Sequence, residues 1–155
     1  MEASYAHDLS QTLRLSNQLL QCLMEQHGIE GIVTSHGSIL AMLFERDEVT
    51  MSDLAAYTHR DPSTVTALVK KLVAKGLVAT KRSTVDRRSV EVTLTDMGRA
   101  MRGDFEEISA ELMSAWRKDI DPGELEAMEN VLAKVRANLT EALEAQAAEN
   151  RRRGA

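Results

Sequence analysis

The stretch from Thr50 to Thr95 constrains the fold of this chain more than any other part. Its 46 residues contain two short helical patterns, a basic turn and two strand-like runs. The periodicity of the apolar residues changes from helical spacing to alternation within this stretch. The stretch therefore predicts a small unit made of two helices followed by a hairpin.

The two helices of this stretch begin with clear capping signals. Thr50 to Asp53 has the form of a capping box, and Asp61 precedes Pro62, which loses no hydrogen bond at a first helical position. The second helix is predicted to bury Val65, Leu68, Val69 and Leu72. Its opposite side carries only small or polar residues and one cation, and this surface suits close approach to a partner: Ser63, Thr66, Ala67 and Lys70.

A hairpin with a basic tip is predicted after the second helix. Gly76 is expected to adopt a left-handed conformation, and the run from Leu77 to Ala79 begins a strand. After the turn KRSTVDRR, apolar residues alternate with polar ones as in a strand with one covered face, at Val90, Val92 and Leu94.

Two helices are predicted before this unit. The first runs from about Tyr5 to His27 with an apolar stripe and ends at Gly28 and Gly31. The second, residues 35–46, has Thr34 or Ser35 as its expected N-cap and a broad apolar face, so we expect it at the centre of the core.

Two more helices are predicted after the unit. Thr95 and Asp96 cap the first, which extends to Trp116, and the segment 121–124 caps the second. The last helix has an apolar stripe close to a heptad pattern, which predicts a homodimer. The alternative is that the stripe packs on the first helix of the same chain. The predicted dimerisation residues are Leu9, Leu13, Leu125, Met128, Leu132, Val135, Leu139 and Leu143.

The charge of the chain is unevenly distributed. The formal net charge is −5, yet residues 57–89 carry eight basic residues against two acidic ones, so their local balance is +6 and the remainder carries −11. A basic segment attached to an acidic remainder is typical of a nucleic-acid-binding lobe. The alternative is a solvated basic surface without a partner.

The remaining composition indicates a soluble, cytoplasmic protein without cofactor. The hydrophobic content of 43% is enough for a core, and no apolar run approaches the roughly 20 residues needed to cross a bilayer. The N-terminus is polar and acidic, unlike a signal peptide. Cys22 is the single cysteine, and its apolar neighbours predict a buried, inert thiol.

The chain resembles the MarR family of bacterial transcription regulators. The residues that carry the resemblance lie in segments 51–55, 61–66, 68–72 and 75–78, and in the wing signature formed by Asp86, Arg88, Leu94, Thr95 and Gly98. The resemblance implies a mainly α fold with a small β-hairpin, in which a winged helix-turn-helix lobe is joined to a helical dimerisation region. The expected domains are residues 1–34 for the N-terminal dimerisation helix and loop, 35–98 for the DNA-binding lobe, and 99–155 for the C-terminal dimerisation helices.

Double-stranded DNA is the expected partner, bound at a pseudo-palindromic operator. In helix-turn-helix proteins the N-terminal part of the second helix meets base edges in the major groove, which places five residues nearest the DNA: Ser63, Thr64, Thr66, Ala67 and Lys70. By resemblance Arg88 enters the minor groove and Asp86 orients it, while Lys81, Arg82 and Arg87 hold the DNA backbone. The alternative for Asp86 and Arg88 is a surface ion pair within the hairpin.

The resemblance also implies a small aromatic or phenolic effector, bound between the dimerisation helices and the DNA-binding lobe. The candidate lining residues are Arg14, Met24, His27, His36 and Met42. Taken singly, the methionines are better explained as core residues and the histidines as surface or loop residues. Metal binding by Cys22, His27, Glu30 and His36 is not expected, because their spacing matches no standard zinc site.

We therefore expect a ligand-responsive repressor rather than an enzyme, since no nucleophile and base, phosphate-binding glycine loop or carboxylate pair stands out. Two alternatives remain open. The first is a redox- or metal-sensing regulator of the same fold. The second is a winged-helix protein-interaction module that does not read DNA.

Overall fold

The computed structural model describes residues 4–83 and 89–153. The described residues form two compact units, Met1–Leu112 and Met113–Ala155. The elements, in chain order, are α1 Tyr5–Gln26, α2 Thr34–Glu45, β1 Glu48–Thr50, α3 Met51–Thr58, α4 Pro62–Ala74, β2 Val78–Arg82, β3 Val90–Leu94, α5 Asp96–Ala100, α6 Arg102–Arg117 and α7 Pro122–Arg153. The predicted fold class is confirmed, while the predicted division into three domains remains a prediction.

The helix α2 lies at the centre of the first unit, as predicted. Its residues Ile39, Leu40 and Leu43 are fully buried. The predicted N-cap was wrong, because Val33 precedes the helix and Thr34 is its first residue. The ring of His36 caps the helix instead, since its Nδ1 accepts the backbone N–H of Val33 at 3.1 Å. The hydroxyl of Thr34 donates to Asn17 on α1 at 3.1 Å.

The capping signals predicted for α3 and α4 are confirmed. The Thr50 hydroxyl accepts the backbone N–H of Asp53 at 3.1 Å, and the Asp53 carboxylate accepts that of Thr50 at 3.2 Å. The Thr50 hydroxyl also donates to the Asp53 carboxylate at 2.8 Å, and this bond, together with the one from the Thr50 N–H, holds the pKa of Asp53 below its ordinary value. Asp61 caps α4, and the inner side of α4 packs into the core through Val65, Val69 and Leu72.

The sheet is antiparallel and has three strands in the order β1-β3-β2. The predicted hairpin is confirmed, with Val78 opposite Leu94 and Arg82 opposite Val90. The sequence did not predict β1, because three residues are too few to show alternation. β1 pairs with β3, and Val49 lies opposite Val92.

Two glycines are required where the hairpin joins its neighbouring helices. Gly76 has the left-handed φ of +72° that was predicted after α4. Gly98 lies in α5, where a Cβ atom would come within 2.1 Å of the carbonyl oxygen of Leu77. A side chain at position 98 would therefore force the start of the hairpin away from α5.

The helix predicted from Thr95 to Trp116 is divided in two. Met101 separates α5 from α6, and its N–H donates to the carbonyl of Gly98 in a tighter turn. At this junction the guanidinium of Arg102 lies 5.5 Å from the ring of Phe44 and donates to the Phe44 carbonyl. One tighter turn hardly changes the phase of the apolar stripe, so the periodicity could not reveal the division.

The last helix, α7, begins at Pro122 as predicted. The Asp121 carboxylate accepts the N–H of Gly123 at 2.7 Å, and Glu124 reaches back to the N–H of Asp121 at 3.1 Å. None of the residues of α7, all of which the structure describes, is buried. In the apolar stripe of α7, Leu125 and Leu132 are half-buried, and the other four residues are exposed: Met128, Val135, Leu139 and Leu143. No helix among the described residues is both long and apolar enough to cross a membrane.

Candidate nucleic-acid interface

The exposed side of α4 carries the residues predicted to contact DNA. Ser63, Thr66, Ala67 and Lys70 are exposed, and Thr64 is half-buried. Residues three and four apart share one side of a helix, so these side chains form a continuous surface. We call this surface the recognition face. The core behind it fixes the position of the helix.

The Asp61 carboxylate organises the first turn of the recognition face. Its Oδ1 accepts the hydroxyl of Ser63 and the backbone N–H of Thr64 at 2.9 Å, and its Oδ2 accepts the Thr64 hydroxyl at 2.6 Å. These hydrogen bonds hold the pKa of Asp61 far below its ordinary range, the Ser63 hydroxyl contributing most. The carboxylate is therefore ionised at neutral pH.

Charged residues of the three strands meet at the base of the wing, together with the serine that follows β2. We define the base of the wing as Glu48, Lys81, Ser83 and Glu91. The Lys81 ammonium pairs with Glu48 from β1 and lies 3.5 Å from the carboxylate of Glu91 in β3. The hydrogen bond to Glu48 is the main cause that raises the pKa of Lys81. A hydrogen bond from Ser83 is the main cause that lowers the pKa of Glu91.

Lys81 was expected to hold the DNA backbone, but the structure places its charge between two carboxylates. The sequence did not reveal this pairing, because Glu48 lies 33 positions away and belongs to the strand that was missed. Arg82 is exposed at the end of β2. Asp86, Arg87 and Arg88 lie outside the described residues, so the predicted roles of the wing tip remain predictions.

A groove of about 460 Å³ adjoins the recognition face. It is mainly apolar, and it lies between α3, α4 and the hairpin. Thr66 and Lys70 belong both to the groove and to the recognition face. The remaining lining residues are Met51, Ser52, Ala55, Pro62, Val69, Val73, Thr80, Ser89 and Val90.

A second groove, of about 730 Å³, lies between α1, α2 and the first part of α6. It is lined by Phe44 and Phe105, whose ring centroids are 5.6 Å apart, and also by Met24. Of the five predicted effector-binding residues, only Met24 lines this groove. Arg14 is exposed elsewhere on α1, and Met42 is buried in the core. The structure therefore does not bring the five residues together.

His36 is buried, with 2% of its surface exposed. Its Nδ1 accepts the N–H of Val33, so Nε2 carries the proton, and Nε2 is buried without a hydrogen-bond partner among the described residues. Burial is the main cause that lowers the pKa of His36, and the nearby cations Lys71 and Lys75 add to it. His36 is thus a neutral residue of the core. Its position three residues after the N-cap Val33 was the sequence signal that its side chain could cap α2.

Cys22, His27, Glu30 and His36 do not form a metal-binding cluster among the described residues. His27 lies 3.7 Å from Asp104 through Nδ1 and 3.7 Å from Glu111 through Nε2, so both ring nitrogens lie near carboxylates of α6. No group of three or more metal-binding side chains occurs among the residues that the structure describes. The prediction that Cys22 is buried was wrong, since its side chain is exposed on α1. Its apolar sequence neighbours Leu23 and Met24 point into the core, and Cys22 points away from it.

Two helices joined by a short turn, with the second exposed beside a β-hairpin, define a winged helix-turn-helix protein. Residues 34–90 match the model of the MarR family. The HTH-type transcriptional regulator YdgJ of Bacillus subtilis is 31% identical over 109 residues, which cover 70% of this chain and 66% of YdgJ. The matched region thus spans just under two thirds of that relative.

Solved structures show the same fold over more of the chain. In the S. aureus MepR–DNA complex, the similar chain has a TM-score of 0.80 and 24% identity, covering 88% of this chain and 99% of MepR. Bordetella bronchiseptica BpsR, whose DNA binding is regulated by 6-hydroxynicotinic acid, has a TM-score of 0.77 and 22% identity, covering 88% and 95%. Over residues 34–90 the chain belongs to the MarR family.

Proposed function

We propose that this protein is a transcription regulator that binds double-stranded DNA in a sequence-specific manner. The observation that carries the proposal is the recognition face of α4, which presents small polar side chains and Lys70 from a helix held by the core. An α-helix with such a surface fits the major groove, with its N-terminal residues at the base edges. The fold shared with MepR, which was solved in complex with DNA, supports the same conclusion.

We further propose that the protein acts as a homodimer on a pseudo-palindromic operator. The apolar stripe of α7 supports this, because Leu139 is 60% exposed and Leu143 is 72% exposed. The stripe at the start of α1 is also exposed, at Leu9 and Leu13. Exposed apolar stripes of this length are typical of helices that pack against a partner. Two copies would place two recognition helices about one turn of DNA apart.

The dimer is tested by light scattering on the purified chain. The wild-type protein is expected at twice the mass of one chain, and the double variant Leu139→Glu/Leu143→Glu is expected to be largely monomeric. Because both side chains are exposed within one chain, the variant should retain wild-type helix content. Glu141→Gln, on the same helix, is the matched control and should remain dimeric. A wild-type monomer would contradict this part of the proposal.

The proposed regulator is a repressor that releases its operator when a small aromatic or phenolic molecule binds. The groove with Phe44 and Phe105 supports an aromatic effector, because aromatic rings attract one another in stacked or edge-to-face arrangements. The effect of 6-hydroxynicotinic acid on BpsR provides a precedent in a protein of the same fold. A titration with aromatic acids and, separately, with oxidants distinguishes a ligand-responsive regulator from a redox-sensing one.

The DNA-binding proposal is tested by a mobility-shift assay with the DNA flanking the protein's own gene. Specific retention that survives excess competitor DNA is expected. Absence of retention on these fragments and on a random-sequence library would favour a winged-helix interaction module instead. The wing assignment has its own test, because Arg88→Ala should weaken binding about tenfold or more if the guanidinium enters the minor groove. Unchanged affinity would overturn that role for Arg88.

A further inference from the structure

The hydroxyl groups at the start of α4 all donate their protons within the protein. Ser63 and Thr64 donate to the two oxygens of Asp61, and the Thr66 hydroxyl donates to the carbonyl of Pro62 at 2.7 Å. The direction of each bond is fixed by chemistry, because an ionised carboxylate and a backbone carbonyl can only accept. No second proton remains on any of these three oxygens.

The recognition face therefore has a defined polarity. A hydroxyl whose single proton is engaged offers only its lone pairs to a ligand. The Asp61 carboxylate is likewise an acceptor, and its low pKa keeps it so. One turn further along the same side, Lys70 supplies donors. The first two turns of α4 thus accept hydrogen bonds, and the next turn donates them.

The bases of DNA differ in what they offer to such a surface. In the major groove, adenine N6 and cytosine N4 carry amino donors, whereas guanine O6 and N7, thymine O4 and adenine N7 are acceptors. An acceptor placed against a second acceptor loses its hydration without gaining a hydrogen bond. The position of the amino group within each base pair is therefore what an accepting hydroxyl can distinguish.

Given the proposed function, we propose that Ser63 and Thr66 recognise exocyclic amino groups, adenine N6 or cytosine N4, and that Lys70 contacts a guanine edge or a phosphate. The charge of Asp61 supports this placement, because a carboxylate beside a phosphate is repelled, while over an amino group it is attracted. The first turn of α4 thus lies over base edges rather than beside the backbone. The methyl group of Ala67 lies between the accepting and donating parts.

The test begins with duplexes that the wild-type protein selects from a random library. In each half-site, single adenines or cytosines are replaced by N6-methyladenine or N4-methylcytosine, whose methyl group replaces the amino hydrogen in the major groove. Separate duplexes carry 7-deazapurines, which lack the N7 acceptor. Affinities are measured for the wild-type protein, for Thr66→Val, which removes the hydroxyl at nearly constant shape, and for Thr66→Ser, which retains it.

At one or two positions per half-site, methylation is expected to weaken wild-type binding about five- to tenfold, the usual effect of one lost hydrogen bond. Thr66→Val should bind the unmodified duplex more weakly than the wild type does, by about the same factor. Methylation at the position that Thr66 recognises should then have no further effect on this variant. Thr66→Ser should behave like the wild type. As a control, Thr58→Val removes a comparable bond to the Leu54 carbonyl in α3 and should leave affinity unchanged.

Three results would count against the inference or the proposal beneath it. Weak binding to 7-deazapurine duplexes that disappears in Thr66→Val, with methylation tolerated, would show that the hydroxyl donates. A methylation effect that persists unchanged in Thr66→Val and in Ser63→Ala would assign the amino groups to other residues. Failure to enrich any duplex would instead contradict DNA recognition itself, so the two failures are distinguishable.

Discussion

The recognition face of α4 and the base of the wing look alike in sequence but differ in structure. Both contain polar residues and a lysine within the basic segment 57–89. On α4, Lys70 is exposed beside hydroxyls that are bonded only to the cap and to their own helix. At the wing base, Lys81 is held by Glu48 and Glu91 from two other strands. Lys81 and its two carboxylates together carry a net charge of −1, so this group attracts a phosphate less than an unpaired lysine does.

The difference teaches that a count of basic residues overestimates the cations available to DNA. Lys75 donates to the carbonyl of Glu30 at 2.8 Å, and Lys71 and Lys75 both act on His36, away from the recognition face. The availability of a cation is decided by partners that are distant in sequence. Among the described lysines of the segment, Lys70 is the one that lies on the recognition face.

The comparison predicts its largest effect for Lys70. Lys70→Ala should weaken operator binding about tenfold and lower the slope of log K against log salt by about one, if the ammonium contacts a phosphate. The measurement is fluorescence anisotropy with a labelled operator at several salt concentrations. Lys71→Ala is the matched control, because the neighbouring lysine lies on the side of α4 towards His36. Equal losses for the two variants would remove the distinction between the two sides of α4.

An intermediate effect, on stability, is predicted for His36 of α2, which is buried near Lys71 of α4. The folded protein lowers the pKa of His36 below its ordinary value of 6.5, so the unfolded chain binds more protons as the pH falls. The neutral imidazole therefore contributes its full stability above about pH 6.5, the pKa of the unfolded chain. This stability is lost as the pH falls from there through the lower pKa of the folded protein. Urea unfolding at about pH 7.5 and about pH 5 should show this loss in the wild type.

The control for this pH effect is His36→Gln, which retains an acceptor for the Val33 N–H but does not titrate. This variant should show a smaller loss of stability between the two pH values than the wild type. The other histidines remain in both proteins, so the difference isolates His36. An equal loss in both proteins would mean that folding does not lower the pKa of His36.

The smallest effect on affinity is predicted for Lys81. Lys81→Met should change operator affinity less than about twofold at moderate salt and leave the salt slope unchanged, because the ammonium is already paired. Its thermal unfolding temperature should fall, since Glu48 and Glu91 would then repel each other across the sheet. Glu48→Gln in the Lys81→Met background should recover part of this loss. A drop in slope comparable to that of Lys70→Ala would instead establish Lys81 as a phosphate contact.

The helices and the hairpin could be predicted because their signals are local. The capping box at Thr50 and the Asp61–Pro62 start depend on residues three or fewer positions apart, and the structure confirms both. The alternation of Val90, Val92 and Leu94 predicted β3 without knowledge of its partner strand. The predicted burial holds for Val92 and Leu94, whereas Val90 is exposed and Glu91 is buried. The exposed side of α4 followed from the same helical periodicity that identified its buried side.

The features that the sequence did not predict correctly depend mostly on contacts that only the folded structure shows. The β1 strand depends on pairing with β3, and the pairing of Lys81 depends in turn on β1. Cys22 was misplaced because its apolar sequence neighbours lie on the other side of α1. That the Thr66 hydroxyl donates its proton to the Pro62 carbonyl, and so can only accept from a ligand, could not be predicted without the structure. Local patterns therefore located the candidate site, and the tertiary contacts determined which of its residues are free to act.

The most direct test of the account is the salt dependence of binding to the selected operator, compared between the wild type, Lys70→Ala and Lys81→Met. We predict that wild-type log K falls linearly with log salt between about 50 and about 200 mM, with a slope of several units. The slope should be smaller for Lys70→Ala and unchanged for Lys81→Met. A wild-type affinity that is independent of salt, or wild-type affinity and slope in Lys70→Ala, would contradict DNA recognition through α4.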